Sequence, residues 1–429
     1  MDDTATLNME TRDELKSENL RFLLVLLFAF SLPFDRFYST ILLMLLIVCT
    51  FAGLNRKKWK QIPRQIWIFQ MFFFLACLGY PYSADKHEAG FMIEKQLALL
   101  AFPLILPLAI KFTKERVRYL LIALTLGSLA ALFFLFANVA NVIIFGHLPV
   151  SLIFSKEFFN HGFSGPLAIH AGYLSLYVSL SIIFLATELA KPSRLNRKLF
   201  LIACIGFLSA GLFFLASRNS ILTTTFIICI IYPLFYVRKK VIFLGTIFIL
   251  FAAAIFLANQ VGYFHDRFSS DLITDINAGG YNFEGAEPRV ERWKAGLELV
   301  PHSPIFGYGT GDEAGMLKTK FVEKELFISY LEGFNAHNQY LSYLLKNGLI
   351  GLIIFLGCLV YYLKIAIKAK SFIYLSFLVC MIIGFFTENI LDANKGIYYF
   401  ALFNTFLGYT FLKTDTDTVQ IPQHSVNEK

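Results

Sequence analysis

The chain has 429 residues, of which 57% are apolar, 17% aromatic and 16% charged. Soluble chains of that length carry about 25% charge, so one or two soluble domains are excluded and a bilayer is the expected solvent. The formal net charge of +8 comes from short loops between apolar runs; it reports membrane-surface anchoring and excludes nucleic acid as a partner.

Residues 1–20 are polar and mixed in charge, without a basic n-region or a small-residue cleavage site, and read as a tail before a retained first span. Twelve apolar runs follow, near 21–34, 38–54, 65–80, 95–110, 117–145, 168–190, 198–216, 219–237, 241–259, 348–364, 371–388 and 396–412. The expected fold class is an all-α polytopic membrane protein of about 12 transmembrane helices with one large periplasmic loop. Helices 1–9 occupy 21–259, the loop with short helices 260–336, helices 10–12 residues 337–412, and a tail 413–429. With both termini cytoplasmic, short inner loops hold nineteen Lys and Arg against six in the outer ones, which sets the orientation.

All six cysteines lie in apolar spans, so neither a disulfide framework nor a zinc site is implied. The span interiors are almost devoid of Asp, Glu, Lys and Arg, which counts against an ion-coupled transporter.

The candidate chemistry lies on the outer side. Arg218, in a hairpin between two spans, sits at the outer interface, where a cation needs a partner or snorkels to headgroups. His161 and His170 flank the preceding outer loop and are read mainly as structural, with one of them lining a cavity as the alternative. The loop 260–336 carries twelve acidic and seven basic residues. Within it, Pro288 opens a helix with apolar positions at 290, 293, 297 and 300, stopped by Pro301. Arg289 and Arg292 are neighbours in its first turn. They either form an anion site at the helix start or pair with Glu287 and Glu291 on a solvated face. Gly307, Gly309 and Gly311 read as a tight turn, since no strand precedes them and no GK[ST] follows. Asn335 is the expected N-cap of the next helix. This puts His337 in its first turn, where the dipole keeps an imidazole neutral and able to accept a proton.

Ordered along one outer face, these residues resemble the O-antigen ligase and O-antigen polymerase superfamily. The resemblance rests on Ser217-Arg218, on Arg289 four before Trp293, on Pro304, Gly307 and Gly309 as P-x-x-G-x-G, and on His337, Asn338, Tyr340, Leu341, Gly348 and Gly351. The family places a His directly before that Pro, whereas here Ser303 follows His302.

The resemblance implies a GT-C-like enzyme of the bacterial inner membrane. It would move a glycan from undecaprenyl diphosphate to lipid A–core on the periplasmic face, with inversion and without metal or cofactor. It also implies His337 as catalytic base, Arg218, Arg289 and Arg292 as diphosphate ligands, and Asn338, Tyr340, Trp293 and His170 in support. The implied partners are the lipid-linked donor, the lipid A–core acceptor and the bilayer. A polymerase extending lipid-linked repeats, a protein O-glycosylating enzyme, and a twelve-helix lipid or solute transporter stay open as alternatives. Neither the oligomeric state nor the sugars are specified.

Overall fold

The computed structural model describes residues 3–53, 59–60, 62–237 and 287–416, with single positions 245, 260 and 262 between. Apart from those single positions, the expected span at 241–259 and the first part of the large loop, to 286, lie outside the described residues, as does the tail from 417.

Every regular element among the described residues is helical. They are α1 (Asp3–Ser31), α2 (Arg36–Ala52), α3 (Ile66–Gly79), α4 (Lys86–Ala109), α5 (Lys114–Phe145), α6 (Asn160–Ser164), α7 (Ala171–Leu189) and α8 (Leu195–Leu215). Next come α9 (Arg218–Phe226), running through a π turn into α10 (Tyr232–Tyr236), and then α11 (Arg289–Leu299), α12 (Glu313–Glu323) and α13 (Phe327–Leu331). Last are α14 (Gln339–Lys368), α15 (Phe372–Gly384) and α16 (Asn394–Thr416). The π turn precedes Pro233, whose ring and missing N–H rule out a regular α turn there.

Six of the helical stretches are long and apolar enough to cross a membrane: α4, α5, α7, α8, α9–α10 and α14. Three shorter apolar helices, α2, α3 and α15, accompany them. The chain is therefore a multi-pass membrane protein. At ~1.5 Å rise per residue, the 13 residues of α15 fall short of a ~30 Å hydrocarbon core. The residues ahead of the first apolar run are helical from Asp3, since α1 runs unbroken from there into that run.

Side-chain packing, not escape from water, holds such a bundle together in lipid. The shared core is aromatic: Phe72 meets Phe355, Phe400 and Tyr343 at ring distances of 5.0, 5.6 and 6.0 Å. A second, smaller core formed by Ala295, Leu299, Leu317 and Phe321 joins α11 and α12 to Leu341 and Leu345 of α14.

At one end of the bundle Glu188 accepts Arg118, Lys191 and Arg197. The starts of α7, α9 and α14 and the ends of α8 and α15 gather at the other.

Two cations are buried just ahead of the apolar runs expected at 348–364 and 396–412. Lys346 of α14 and Lys395 of α16 are buried at 5% and 8% exposure. Lys395 is held by Leu32 O and Ser39 Oγ, so each cation is supplied with its own acceptors.

Candidate active site

The P-x-x-G-x-G segment is a clamp on a broken helix. At Gly348 (φ 64°) α14 leaves helical geometry, so neighbouring backbone groups lose their helical partners. Tyr308 N and Gly309 N donate to the carbonyls of Leu345 and Lys346 at 2.8 and 2.9 Å. Leu349 N donates to Pro304 O at 2.8 Å. A Cβ on Gly348 would lie 2.2 Å from Ile305 O, so only glycine admits this approach. The same segment is fastened to the α3–α4 hairpin, where Asp312 accepts the amides of Ala84 and Asp85, each at 2.8 Å.

This docking holds α11 and the start of α14 beside the starts of α7 and α9 and the end of α15. Between them opens a cavity of about 190 Å³. A water needs only ~10–15 Å³, so a diphosphate-sized group fits. The lining divides by element into a first wall from α11 to the turn after α15, with Arg289, Arg292, Phe334, His337 and Glu388, and a second wall from α6 to α9, with Asn160, His161, His170, Ser217 and Arg218; Asn219 Nδ2 joins them, donating to Thr387 Oγ1 at 2.9 Å. Thus five residues singled out in the sequence, Arg218, Arg289, Arg292, His337 and His170, share one cavity.

The centre of the first wall is Glu388. It accepts His337 Nδ1 at 3.1 Å through one oxygen and Arg289 Nη2 at 3.1 Å through the other. Burial disfavours its charge, but His337, Arg289 and His170 outweigh that and hold the carboxyl well below the ordinary range. His337 is shifted down from the usual imidazole value. Burial dominates, Glu388 opposes it, and Arg292 and Arg289 add to the lowering. Its ring is therefore neutral at pH 7. With Nδ1–H donated to Glu388, Nε2 carries the lone pair that can take a proton.

The backbone around His337 differs from the expected first turn. His337 lies ahead of α14 in the left-handed region, φ 45°, and its N–H is held by Asn335 Oδ1 at 2.9 Å. The N-cap is Asn338, whose Oδ1 accepts from Tyr340 N and Leu341 N at 3.0 and 3.1 Å. An Asn at that position satisfies two orphan donors, which leaves Asn335 to set the turn before it.

Arg289 and Arg292 do not pair with the carboxylates beside them. Glu287 instead accepts Ile328 N and Ser329 N at 2.8 and 2.9 Å, and Glu291 takes Lys294 at 2.9 Å. Arg292 is buried, its guanidinium 4.9 Å from the Phe334 ring centre. The buried face of α11 is Arg292, Ala295, Gly296 and Leu299. Leu297 of the expected apolar stripe is exposed at 55%.

On the facing wall the His161 and His170 rings lie 4.3 Å apart. His170 is the N-cap of α7, its Nδ1 accepting Gly172 N–H at 3.1 Å. Arg218 opens α9 after its N-cap Ser217, which follows Ala216 in the left-handed region (φ 45°).

Trp293, Asn338 and Tyr340 do not line the cavity. Trp293 packs on the loop core, and Tyr340 donates to Ile382 O at 2.8 Å. His302 is exposed and is not among the residues lining the cavity. Glu388 is the residue sequence reasoning missed, because it was absorbed as the last position of the run 371–388. α15 ends at Gly384, and a carboxylate closing an apolar run, costly unless paired, was the available signal.

Residues 200–356 match the family model described as O-antigen ligase, which supports the O-antigen ligase and polymerase superfamily. That segment contains Arg218, Arg289, Arg292 and His337, while His170 and Glu388 lie outside it. An uncharacterized protein of Haemophilus influenzae is 26% identical over 195 residues, 42% of this chain and 48% of that one. The match spans about half the length of that relative.

Proposed function

We propose that the protein is an O-antigen ligase-like glycosyltransferase of the bacterial inner membrane. In this reading it moves a polysaccharide from undecaprenyl diphosphate to lipid A–core at the periplasmic face, inverting the anomeric carbon without metal. One observation carries the proposal: three guanidinium groups and a carboxylate-paired neutral imidazole converge on one cavity at the end of the bundle opposite the basic cluster around Glu188. Among the described lining residues three arginines stand against one carboxylate, a cationic set that suits a diphosphate.

The acceptor hydroxyl loses its proton to His337 Nε2 as its oxygen bonds to the anomeric carbon. The bond from that carbon to the diphosphate oxygen breaks, and the leaving undecaprenyl diphosphate keeps the electron pair. Charge growing on that oxygen meets Arg218, Arg289 and Arg292, already in place. Glu388 orients the imidazole and stabilises the imidazolium as it forms, as the acid of a catalytic triad does. The apolar spans hold the polyprenyl chain, and the positive ends of the short loops set both termini in the cytoplasm.

The test uses purified protein in lipid with undecaprenyl-diphosphate-linked glycan and lipid A–core, in EDTA. A new glycosidic bond on lipid A–core that depends on His337 is the expected result. Elongated carrier-linked glycan in place of that product assigns a polymerase, and movement of lipid with no new bond assigns a transporter.

A further inference from the structure

Below the cavity, two carboxylates share one buried ammonium. Lys346 Nζ lies 2.8 Å from Asp392 Oδ2 and 3.0 Å from Glu313 Oε2. The Ser342 hydroxyl, one turn earlier, donates to Glu313 Oε2 at 2.7 Å. Lys346 and Glu313 are each 5% exposed. Deleting one member of such a cluster is costly, since it leaves the others buried without their partner.

Each carboxylate belongs to a different part of the site. Glu313 is the first residue of α12 and so reports whether the loop helices are docked. Asp392 lies in the turn that follows Glu388, and its Oδ2 also accepts Asn389 Nδ2 at 3.0 Å. Asn389 Oδ1 in turn accepts Asn338 N at 2.8 Å. Two further bonds close the same seam: Gln339 N to Phe385 O at 2.8 Å, and Leu391 N to Gln339 Oε1 at 2.7 Å. His337 and Glu388 are therefore each one residue from a link that leads back to Lys346.

We infer that Lys346 is a positioning residue that couples docking of the loop helices, through Glu313, to the geometry of the His337–Glu388 pair, through Asp392 and Asn389. The inference rests on His337 being the proton acceptor of the reaction. Its consequence is that the base is set only when α11 and α12 are seated, so water is excluded before the proton moves. A mere structural staple would hold the helices together but leave the setting of His337 unchanged.

The experiment takes full-length protein in lipid nanodiscs, with Trp59→Phe and Trp67→Phe leaving Trp293 of the loop core as the sole tryptophan. Trp293 emission reports docking. The rate of diethylpyrocarbonate labelling of His337 across pH, read by mass spectrometry, reports the imidazole. The groups that face this imidazole, Glu388, Arg289 and Arg292, with His170 beyond Glu388, are kept in every variant.

In Lys346→Met, Trp293 emission shifts to the red, the His337 labelling profile moves along the pH axis, and transfer falls on the order of 10²-fold in kcat with the donor KM nearly unchanged. Asp392→Asn moves the labelling profile with Trp293 emission retained; Glu313→Gln shifts the emission first. A wild-type His337 profile in Lys346→Met overturns the coupling, even if that variant is inactive. Should Lys346→Met fail to fold, the same comparison on Asp392→Asn decides: an unmoved profile overturns it. If emission and labelling respond as stated while wild-type protein transfers no glycan, the coupling stands and the functional reading falls.

Discussion

On one wall of the cavity Glu388 pairs with a base, His337, and a guanidinium group, Arg289, while Arg292 stacks on Phe334 nearby. On the other, His161, His170 and Arg218 stand with no carboxylate among the described lining residues. The first wall can move a proton, because a carboxylate fixes the imidazole by one nitrogen and leaves the other for the substrate. The second can hold an anion, and none of its described lining residues is an acid that would orient a base. The difference separates activation of the attacking hydroxyl from stabilisation of the leaving diphosphate. It also makes Arg289, ion-paired at 3.1 Å, the cation that belongs to both tasks.

The strongest way to break this division is His337→Ala. Transfer should fall by up to about 10⁴-fold while membrane insertion is kept, measured as product formed per inserted protein. Glu388→Gln comes next, with a loss of about 10²–10³-fold in kcat from misorientation of the ring. Its pH profile carries a sign. Wild-type activity is lost as pH falls through the His337 pKa, which lies below the ordinary ~6.5. Glu388 raises that value, and burial and the two arginines lower it. Deleting the carboxylate charge therefore moves the acid limb of kcat/KM to still lower pH, and a limb moving upward would take Glu388 out of contact with the base.

Arg218→Ala tests the second wall. Loss of one preorganised cation from the leaving-group side should cost about 10²-fold in transfer. The acid limb should stay where it is, since Arg218 is not among the groups that shift His337. A displaced limb would merge the two walls into a single proton-handling unit.

How much of this was legible depends on the range over which each feature is encoded. A bilayer imposes long apolar runs, so the helices at α4, α5, α7, α8 and α14 could be placed from local composition alone. The resemblance placed Arg218, Arg289 and His337 at one face, and the structure brings them to one cavity. The buried face of α11 was misjudged because periodicity counts apolar residues, whereas Arg292 is buried by the flat face of Phe334, 42 positions away. The His337–Glu388 contact spans 51 positions and the Lys346–Asp392 contact 46. Polar partners so far apart leave no periodic trace, and each appears alone as an isolated charge near the end of a span.

The smallest predicted effect concerns His170, and it sharpens the comparison most finely. Nδ1 accepts the Gly172 amide, so in the neutral ring the proton sits on Nε2 and the side chain is a donor on the cavity wall. His170→Asn keeps a favourable N-cap for α7 and removes the ring's donor. One neutral hydrogen bond contributes about 1 kcal/mol, so the donor KM should rise roughly fivefold with kcat nearly constant. The measurement is initial rate against the concentration of undecaprenyl-diphosphate glycan, with lipid A–core saturating. A fall in kcat at unchanged KM would instead assign His170 to the chemical step through Glu388, whose charge it helps to hold, and the second wall would then act on the base as well as on the anion.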